Sequence, residues 1–252
     1  MFKRLFNKKN KAVIFVDYEY WFYSYLNMVG IRPNPGVYMD ALQKEFNISD
    51  TFVFGDFSST SISEELWKLR EFTNTIIETG NTHQKRKKDV TDFVMLDYIY
   101  QCMDDRKDIG TYILFTGDGH FQSVVNRLVK QKKKHVIIYG IKDSVSKQLQ
   151  AGASEVRFLP TDKELNMAIY KMIAANMDYV QSRMKIIPTF LGTVNAVATR
   201  NNVDREMVTT ALRAMLDTGY LYQDICRMNF RTVKVIKANW DKLKQDGIWS
   251  DT

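Results

Sequence analysis

Short apolar runs alternate with stretches of helical periodicity along the first 160 residues. Six runs have the length and the β-branched or aromatic content of strands buried on both faces: 12–16, 51–54, 74–77, 112–115, 136–139 and 156–159. Helical periodicity covers 20–45, with an expected break near Pro33 and Pro35, and then 63–71, 90–103, 121–132 and 145–151. Strands that alternate with helices predict right-handed crossovers, and therefore an α/β sandwich of three layers with a central parallel sheet.

The pattern changes after Pro160. A helix is predicted over 165–180, then shorter helices over 189–199 and 204–217 and strand-like runs at 220–225 and 232–236. Asp204 is expected to cap the last of these helices, and Gly219 to follow its C-terminus. Two helices followed by a two-stranded wing are typical of a small winged helix-turn-helix domain. We predict a first domain over 1–160, a linker helix over 161–184 and a winged-helix-like domain over 185–252.

Composition narrows the class of protein. The chain of 252 residues is 45% hydrophobic and 26% charged, which excludes a disordered or fibrous chain. No stretch reaches the ~20 apolar residues of a membrane span, and the start of the chain lacks the apolar core of a secretory signal. The only cysteines, Cys102 and Cys226, exclude a disulfide scaffold and a four-cysteine zinc site. A cytoplasmic protein without membrane contact is expected.

The charge balance is basic. Thirty-six Lys and Arg residues against 29 Asp and Glu leave a net charge of +7, which permits nucleic-acid binding without establishing it. The basic residues are clustered in the N-terminal arm, in the run Lys85, Arg86, Lys87 and Lys88, and in Lys130 with Lys132 to Lys134. Each run has the alternative interpretation of a solvated surface.

Carboxylates follow three of the predicted strands. Asp17 closes the run AVIFVD, Asp56 follows TFVFG, and Asp118 follows YILFTG. Because the carboxyl ends of parallel strands meet at one edge of a sheet, where ligands bind, these side chains are expected to converge. Each aspartate alone has another explanation, since an aspartate after a strand often caps the next helix.

Asp92 is the fourth carboxylate, at the start of the predicted helix over 90–103. Helical periodicity places it on the apolar stripe of that helix with Met95 and Ile99, whereas Asp97 points elsewhere and is discounted. Asp92 therefore begins the buried face, at the helix end nearest the carboxyl edge of the sheet. An alternative makes Asp89 the N-cap and Asp92 its capping-box partner, and the two interpretations are compatible.

Converging carboxylates repel one another unless a cation neutralises them. Oxygen ligands without a Cys or His cluster favour Mg²⁺ or Mn²⁺ over zinc. Such a site can activate water and stabilise the attacking and leaving oxygens of a phosphodiester displacement. The runs Lys85 to Lys88 and Lys132 to Lys134 would then hold backbone phosphates.

Four segments resemble the motifs of the NYN domain, a PIN-like nuclease family that includes the LabA-like proteins. In chain order they are KAVIFVDYEYW, FVFGDFS, KKDVTDFVMLDYIYQ and ILFTGDGHFQSVVNRL, and the resemblance covers about residues 11–160. The residues that match the motifs are Asp17, Glu19, Asp56, Asp92, Phe93, Thr116, Gly117, Asp118 and Phe121. The resemblance implies a PIN-like fold and a metal-dependent ribonuclease that acts on RNA through acidic metal ligands.

We expect Asp17, Asp92 and Asp118 to be the catalytic metal ligands. Supporting roles are assigned to Asp56, Glu19, Thr116 and His120. Two residues depart from the family pattern: Tyr20 replaces the usual Asn after Glu19, and His120 stands where many members have a second acid. A neutral histidine can bind a metal or move a proton, but beside a glycine it is more often a local hydrogen-bonding residue.

Residues 186–240 resemble the winged-helix modules of several NYN proteins. On the second helix Arg205, Thr209 and Arg213 share one face, and Arg227 and Arg231 lie on the wing. This face predicts contact with nucleic acid, and Arg205 and Arg213 are the candidate binding residues. The alternatives are a protein partner, a homodimer contact or a merely solvated face.

Two other functions compete with the nuclease. The departures at Tyr20 and His120 favour an RNA- or protein-binding regulatory module of the same fold whose metal site has decayed. Asp17 and Glu19 also resemble the D-x-D start of the haloacid-dehalogenase phosphatases. No threonine follows in register and no downstream lysine can be singled out, so that hypothesis is the weakest.

Overall fold

The computed structural model describes residues 10–30, 32–80, 90–183, 188–228 and 231–250. All six predicted strands are present, and all of them are parallel within one sheet. They are β1 (Lys11–Asp17), β2 (Asn47–Gly55), β3 (Ile76–Glu78), β4 (Thr111–Phe115), β5 (His135–Ile141) and β6 (Glu155–Leu159). The α/β class and the parallel sheet are thus confirmed.

The strand order is β3-β2-β1-β4-β5-β6, with β1 in the middle. Successive crossovers run outward from β1 to β3, and the chain then returns to place β4 on the other side of β1. The side chains of β4 are buried throughout, and those of β1 and β5 are buried beyond their first residue. Burial on both faces explains why these strands are continuous apolar runs rather than alternating ones.

Helices connect the strands and cover both faces of the sheet. In the first part of the chain they are α1 (Tyr18–Val29), α2 (Pro35–Glu45), α3 (Thr60–Ser63), α4 (Leu66–Arg70), α5 (Val90–Asp105), α6 (Gln122–Asn126) and α7 (Lys147–Gly152). None of the helices in the described part of the chain combines the length and the apolar content that a membrane span needs.

The two faces of the sheet have separate sets of packed side chains. On one face Phe15 and Leu114 pack in a core with Met95 of α5 and Leu149 of α7. On the other face Trp21 of α1 contacts Phe115, with ring centroids 4.6 Å apart. This arrangement is the predicted three-layer sandwich.

Several predicted helices are interrupted. The stretch 20–45 divides into α1 and α2, because Gly30 has a φ of +73° and Pro35 begins the next helix. The stretch 63–71 is covered only by the short helices α3 and α4. The stretch 121–132 contains a 3₁₀ turn (Gly119–Phe121), α6 and a π-helical turn (Arg127–Gln131).

A second compact unit is built mainly from Pro160–Thr252. Its elements are α8 (Asp162–Arg183), α9 (Phe190–Asn201), α10 (Arg205–Asp217), β7 (Leu221–Met228), β8 (Arg231–Ala238) and α11 (Trp240–Gln245). The strands β7 and β8 form an antiparallel hairpin. Ile173 of α8 shares a core with Val194, Leu212 and Ile236, so the helix predicted as a linker packs within this unit.

Both predicted ends of α10 are confirmed. Asp204 Oδ1 accepts the backbone N–H groups of Glu206 at 2.7 Å and Met207 at 3.1 Å. Gly219 follows the helix with a φ of +75°, in the left-handed region. The helix α11 was not predicted, and its N-cap is the side chain of Asn239.

The cap leads to a test of stability. Asp204→Ala is expected to lower the free energy of unfolding of the second unit by about 1 kcal/mol, because two backbone N–H groups lose their acceptor. Amide hydrogen exchange of α10 would report the loss as faster exchange in its first turn. The matched control is Asp217→Ala at the other end of α10, expected to stay within ~0.5 kcal/mol of the wild type. Equal effects of both substitutions would contradict the capping role.

Candidate metal centre

The candidate site lies where the sheet reverses its order, between β1 and β4. The crossover after β1 leads to β2 on one side, whereas β4 lies on the other side. A crevice forms at the carboxyl ends of such strands and is the usual ligand site of open parallel sheets. Asp17 is the last residue of β1, and Asp118 follows β4 by three positions. The topology therefore delivers two of the predicted carboxylates to one crevice.

A tight turn holds Asp118 after β4. Thr116 is fully buried, its N–H donates to the carbonyl of Tyr139, and its Oγ1 accepts the N–H of Asp118 at 3.2 Å. Asp118 Oδ1 in turn accepts the N–H of His120 at 2.8 Å and caps the 3₁₀ turn. The buried ring of Phe121 anchors the end of that turn.

All three strand-ending aspartates accept a backbone N–H from the following segment. Asp17 Oδ1 accepts the N–H of Tyr20 at 3.1 Å, and Asp56 Oδ1 accepts that of Ser58 at 3.0 Å. The capping explanation weighed from the sequence therefore holds for Asp17 and Asp118. The bond of Asp56 closes a local turn, and the helix that follows has Ser59 as its N-cap. It does not compete with clustering, because the carboxylate of Asp118 both caps a turn and belongs to the cluster described next.

Asp92 reaches the same crevice from α5. The start of this helix is tied to the sheet by a buried hydrogen bond of 2.6 Å between the hydroxyls of Thr91 and Thr79, just after β3. Asp92 is buried on the inward face, as predicted. Asp97 is exposed and accepts a hydrogen bond from Gln101, which agrees with its exclusion from the site.

Three side chains in the described part of the chain bring their ligand atoms within 4.8 Å of one another: Asp92, Asp118 and His120. His120 Nδ1 lies 3.2 Å from Asp118 Oδ1 and 3.5 Å from Asp92 Oδ2. Asp92 is buried, whereas the side chains of Asp118 and His120 are 41% and 64% exposed. Two carboxylates and an imidazole fit a divalent metal ion, and the cluster opens to solvent on one side.

Asp17 lies beside this cluster, and its environment is strongly unfavourable to a negative charge. Burial is the largest cause that raises the pKa of Asp17, and the N–H of Tyr20 offsets part of that effect. Repulsion from the carboxylates of Asp92, Glu19 and Asp118 adds to the rise, and these effects together bring the pKa to about 7. A cation in the crevice would relieve this repulsion. The assignment of Asp17 as a direct metal ligand stays a prediction.

Glu19 and Asp56 flank the site on the β2 side. The Glu19 carboxylate accepts the backbone N–H of Asp56, which ties α1 to the loop after β2. The Asp56 carboxylate is turned toward Gly80, where a Cβ atom would lie 2.5 Å from Oδ1. Both residues thus have positioning contacts outside the group formed by Asp92, Asp118 and His120.

Tyr20 has a structural role that the sequence did not reveal. Its hydroxyl lies 2.6 Å from Ser144 Oγ and accepts the N–H of Ile141 at 2.9 Å. The phenol thereby joins the start of α1 to the loop between β5 and α7, and it passes over Gly117. An open cleft beside Asp118 is lined by Tyr20 and Ser144. The only sequence signal was the departure of Tyr20 from the family pattern.

The prediction that Lys132 to Lys134 hold backbone phosphates beside the carboxylates is wrong. The run Lys132 to Lys134 precedes β5, so it lies at the amino edge of the parallel sheet and not beside the carboxylates. Lys134 Nζ is bonded there to the carbonyls of Lys107 and Ile109. A charged run before a parallel strand necessarily emerges at that opposite edge.

The other basic candidates have different outcomes. Lys85, Arg86, Lys87 and Lys88 lie outside the described residues, as do the lysines and the arginine of the N-terminal arm up to residue 9. Arg205 and Arg213 are exposed on α10 in the second unit, and Arg227 is exposed on β7. Their contact with nucleic acid stays a prediction.

The fold and the acidic cluster at its switch point define a PIN-like α/β protein. The chain belongs to the NYN domain family, whose model matches residues 11–162. The fold is similar to the crystal structure of a protein of unknown function from Vibrio parahaemolyticus, with a TM-score of 0.54 and 17% identity. That similarity covers 62% of this chain and 96% of the Vibrio chain. No curated protein matches the chain.

The raised pKa of Asp17 predicts a pH-dependent stability. Because the folded state binds this proton more tightly than the unfolded state, ionised Asp17 destabilises the fold above about pH 7. The penalty decreases as the pH falls toward the unfolded value of 3.8. In EDTA, Asp17→Asn is expected to stabilise the protein by on the order of 2 kcal/mol more at pH 8 than at pH 5.

Urea unfolding at the two pH values would measure this difference. The amide oxygen of Asn can still accept the N–H of Tyr20, so the turn after β1 is retained. Asp97→Asn is the matched control, because it makes the same substitution at an exposed carboxylate. We expect the difference between the two pH values to be specific to Asp17→Asn. The same stabilisation by Asp17→Asn at both pH values would contradict a raised pKa of Asp17 in the folded protein.

Two glycines that flank β4 test the turn that holds Asp118. A Cβ atom at Gly117 would lie 2.6 Å from Tyr20 Cζ and 2.7 Å from the carbonyl oxygen of Ser144. At Gly110 the nearest atom to such a Cβ is the carbonyl oxygen of Lys11, at 3.8 Å. Gly117→Ala is therefore expected to lower the free energy of unfolding by about 1 to 3 kcal/mol.

Gly110→Ala is expected to stay within ~0.5 kcal/mol of the wild type. Thermal unfolding of the two variants, followed by circular dichroism under identical conditions, makes the comparison. Equal stabilities of the two variants would show that Tyr20 and Ser144 do not confine Gly117.

Proposed function

We propose that this protein is a divalent-metal-dependent ribonuclease that hydrolyses RNA phosphodiester bonds. The observation that carries the proposal is the convergence of Asp92, Asp118 and His120 beside buried Asp17, at the switch point of an NYN domain. Ligand atoms within 4.8 Å of one another are close enough to share one ion. The ion we propose is Mg²⁺ or Mn²⁺.

The residues have separable roles in this proposal. Asp92 and Asp118 would hold the ion, and Asp17 would contribute a further carboxylate from β1. A bound divalent ion supplies stabilisation of negative charge on the attacking and leaving oxygens of a phosphodiester displacement. Thr116 Oγ1 holds the backbone N–H of Asp118, and the N–H of His120 holds the Asp118 carboxylate, before substrate arrives. Such preorganisation removes the cost of ordering the ligand during the reaction.

The exposure of the site suits a polymeric substrate. Asp118 and His120 are open to solvent, so an RNA backbone can approach them past the described residues. Lys85 to Lys88 directly precede α5 in the sequence, and we propose that they contact phosphates next to Asp92.

We propose that the second unit acts as a winged-helix domain that contacts nucleic acid. The order α9, α10 and the hairpin of β7 and β8 is that of a winged helix-turn-helix. Exposed Arg205 and Arg213 on α10 would contact nucleic acid. A protein partner or a second copy of the chain is the alternative ligand of this surface.

The location that we propose for the protein is the cytoplasm.

Asp118→Asn is the decisive variant. Asn keeps an oxygen that can accept the N–H of His120, so the 3₁₀ turn is retained while the charged ligand is lost. Cleavage of a labelled single-stranded RNA in Mn²⁺ or Mg²⁺ is expected to fall by at least ~100-fold, because the remaining ligands hold the ion poorly. Thermal unfolding would verify that the fold is intact.

The matched control is Asp97→Asn, which changes an exposed carboxylate on α5 and is expected to cleave like the wild type. Cleavage by Asp118→Asn at the wild-type rate would remove Asp118 from the mechanism. If the wild-type protein binds RNA with a steep salt dependence but fails to cut it whichever divalent ion is added, the regulatory binding module is favoured instead.

A further inference from the structure

The imidazole of His120 lies among carboxylates. Its Nδ1 is 3.2 Å from Asp118 Oδ1 and 3.5 Å from Asp92 Oδ2. The backbone N–H of the same residue also donates to Asp118 Oδ1. A local hydrogen-bonding role, expected from the sequence, accounts for the backbone N–H but not for the approach of the ring to Asp92, a residue of another helix.

The spacing of these atoms resembles that of ligands around one ion. Neighbouring ligands of an octahedral ion with bonds of ~2.1 Å are separated by about 3 Å. The two distances from Nδ1 to the carboxylate oxygens are slightly longer than this. The ligand atoms of all three residues lie within 4.8 Å of one another. Small side-chain rotations would therefore place all three atoms around a shared ion.

A single short turn positions two of these donors. Asp118 caps the 3₁₀ turn Gly119–Phe121, and Phe121 buries the end of that turn in the core. His120 is consequently fixed relative to Asp118 by the backbone. The side chain of His120 is 64% exposed, so its nitrogen can exchange water for an ion without any opening of the fold.

We propose that His120 Nδ1 is a metal ligand, and that this nitrogen makes the centre select Mn²⁺ over Mg²⁺. The inference rests on the proposed metal-dependent function and deepens it by naming the ion. Mg²⁺ is a hard cation that prefers oxygen, whereas imidazole nitrogen binds first-row transition ions more strongly. A set of two carboxylates and one imidazole therefore differs in selectivity from the all-oxygen set expected from the sequence.

Pulsed electron paramagnetic resonance of the full-length protein loaded with one equivalent of Mn²⁺ tests the ligand directly. A nitrogen bonded to Mn²⁺ gives a ¹⁴N coupling, which we expect in the wild type and not in His120→Asp or His120→Gln. Mn²⁺ titrations with and without competing Mg²⁺ give the affinity ratio of the two ions. His120→Asp restores an all-oxygen set and is expected to lower the Mn²⁺-over-Mg²⁺ ratio by roughly tenfold.

The chain has three histidines, so the other two provide the controls. His135→Gln changes a residue at the amino end of β5, and His83→Gln changes a position outside the described residues. Both variants are expected to keep the ¹⁴N coupling and the wild-type ratio. Thermal unfolding of each variant confirms that the comparison is made on folded protein.

Four results would overturn the inference: no Mn²⁺ binding to the wild type, no ¹⁴N coupling in it, a coupling that persists in both His120 variants, or an affinity ratio unchanged in His120→Asp. The outcomes separate this inference from the proposed function. Nitrogen-bound Mn²⁺ in a protein that never cuts RNA supports the ligand and removes the nuclease. Metal-stimulated RNA cleavage without a ¹⁴N coupling supports the nuclease and overturns His120 as a ligand.

Discussion

Repulsion between carboxylates is the constraint on which the centre of this fold depends. The parallel sheet places Asp17 and Asp118 at adjacent strand ends, and α5 adds Asp92 to the same crevice. Individual backbone N–H groups offset part of the cost, as Tyr20 does for Asp17. They do not remove it, because burial and the neighbouring carboxylates still raise the pKa of Asp17 to about 7. A site with this imbalance is suited to a cation.

Two of the connections between elements around the crevice are neutral hydrogen bonds. Thr79 and Thr91 connect the end of β3 to α5, and Tyr20 connects α1 to Ser144 beyond β5. An ion pair such as that of Arg106 with Asp50 lies at the amino edge of the sheet. These two neutral connections help to hold the geometry of the acidic side chains without adding a positive charge of their own.

Much of the fold could be predicted because its central strands are buried on both faces. Continuous apolar runs marked β1, β4 and β5, and helical periodicity placed Asp92 on the inner face of α5. The strands β3 and β6 at the two edges of the sheet are only half-buried, and β-branched and aromatic content identified them instead. The pattern could not reveal the bond between Tyr20 and Ser144, which are 124 residues apart in sequence. It also gave no sign that the His120 ring would approach Asp92. These contacts depend on the tertiary placement of polar groups, which periodicity does not encode.

The exposure of two side chains of the centre bears on how a ligand is selected there. The His120 and Asp118 side chains are 64% and 41% exposed, so the described residues leave the centre open on that side. Among the described residues, exclusion by shape would contribute little discrimination there. Discrimination between large ligands would then come from contacts away from the centre, so that recognition and metal binding could be altered independently of one another.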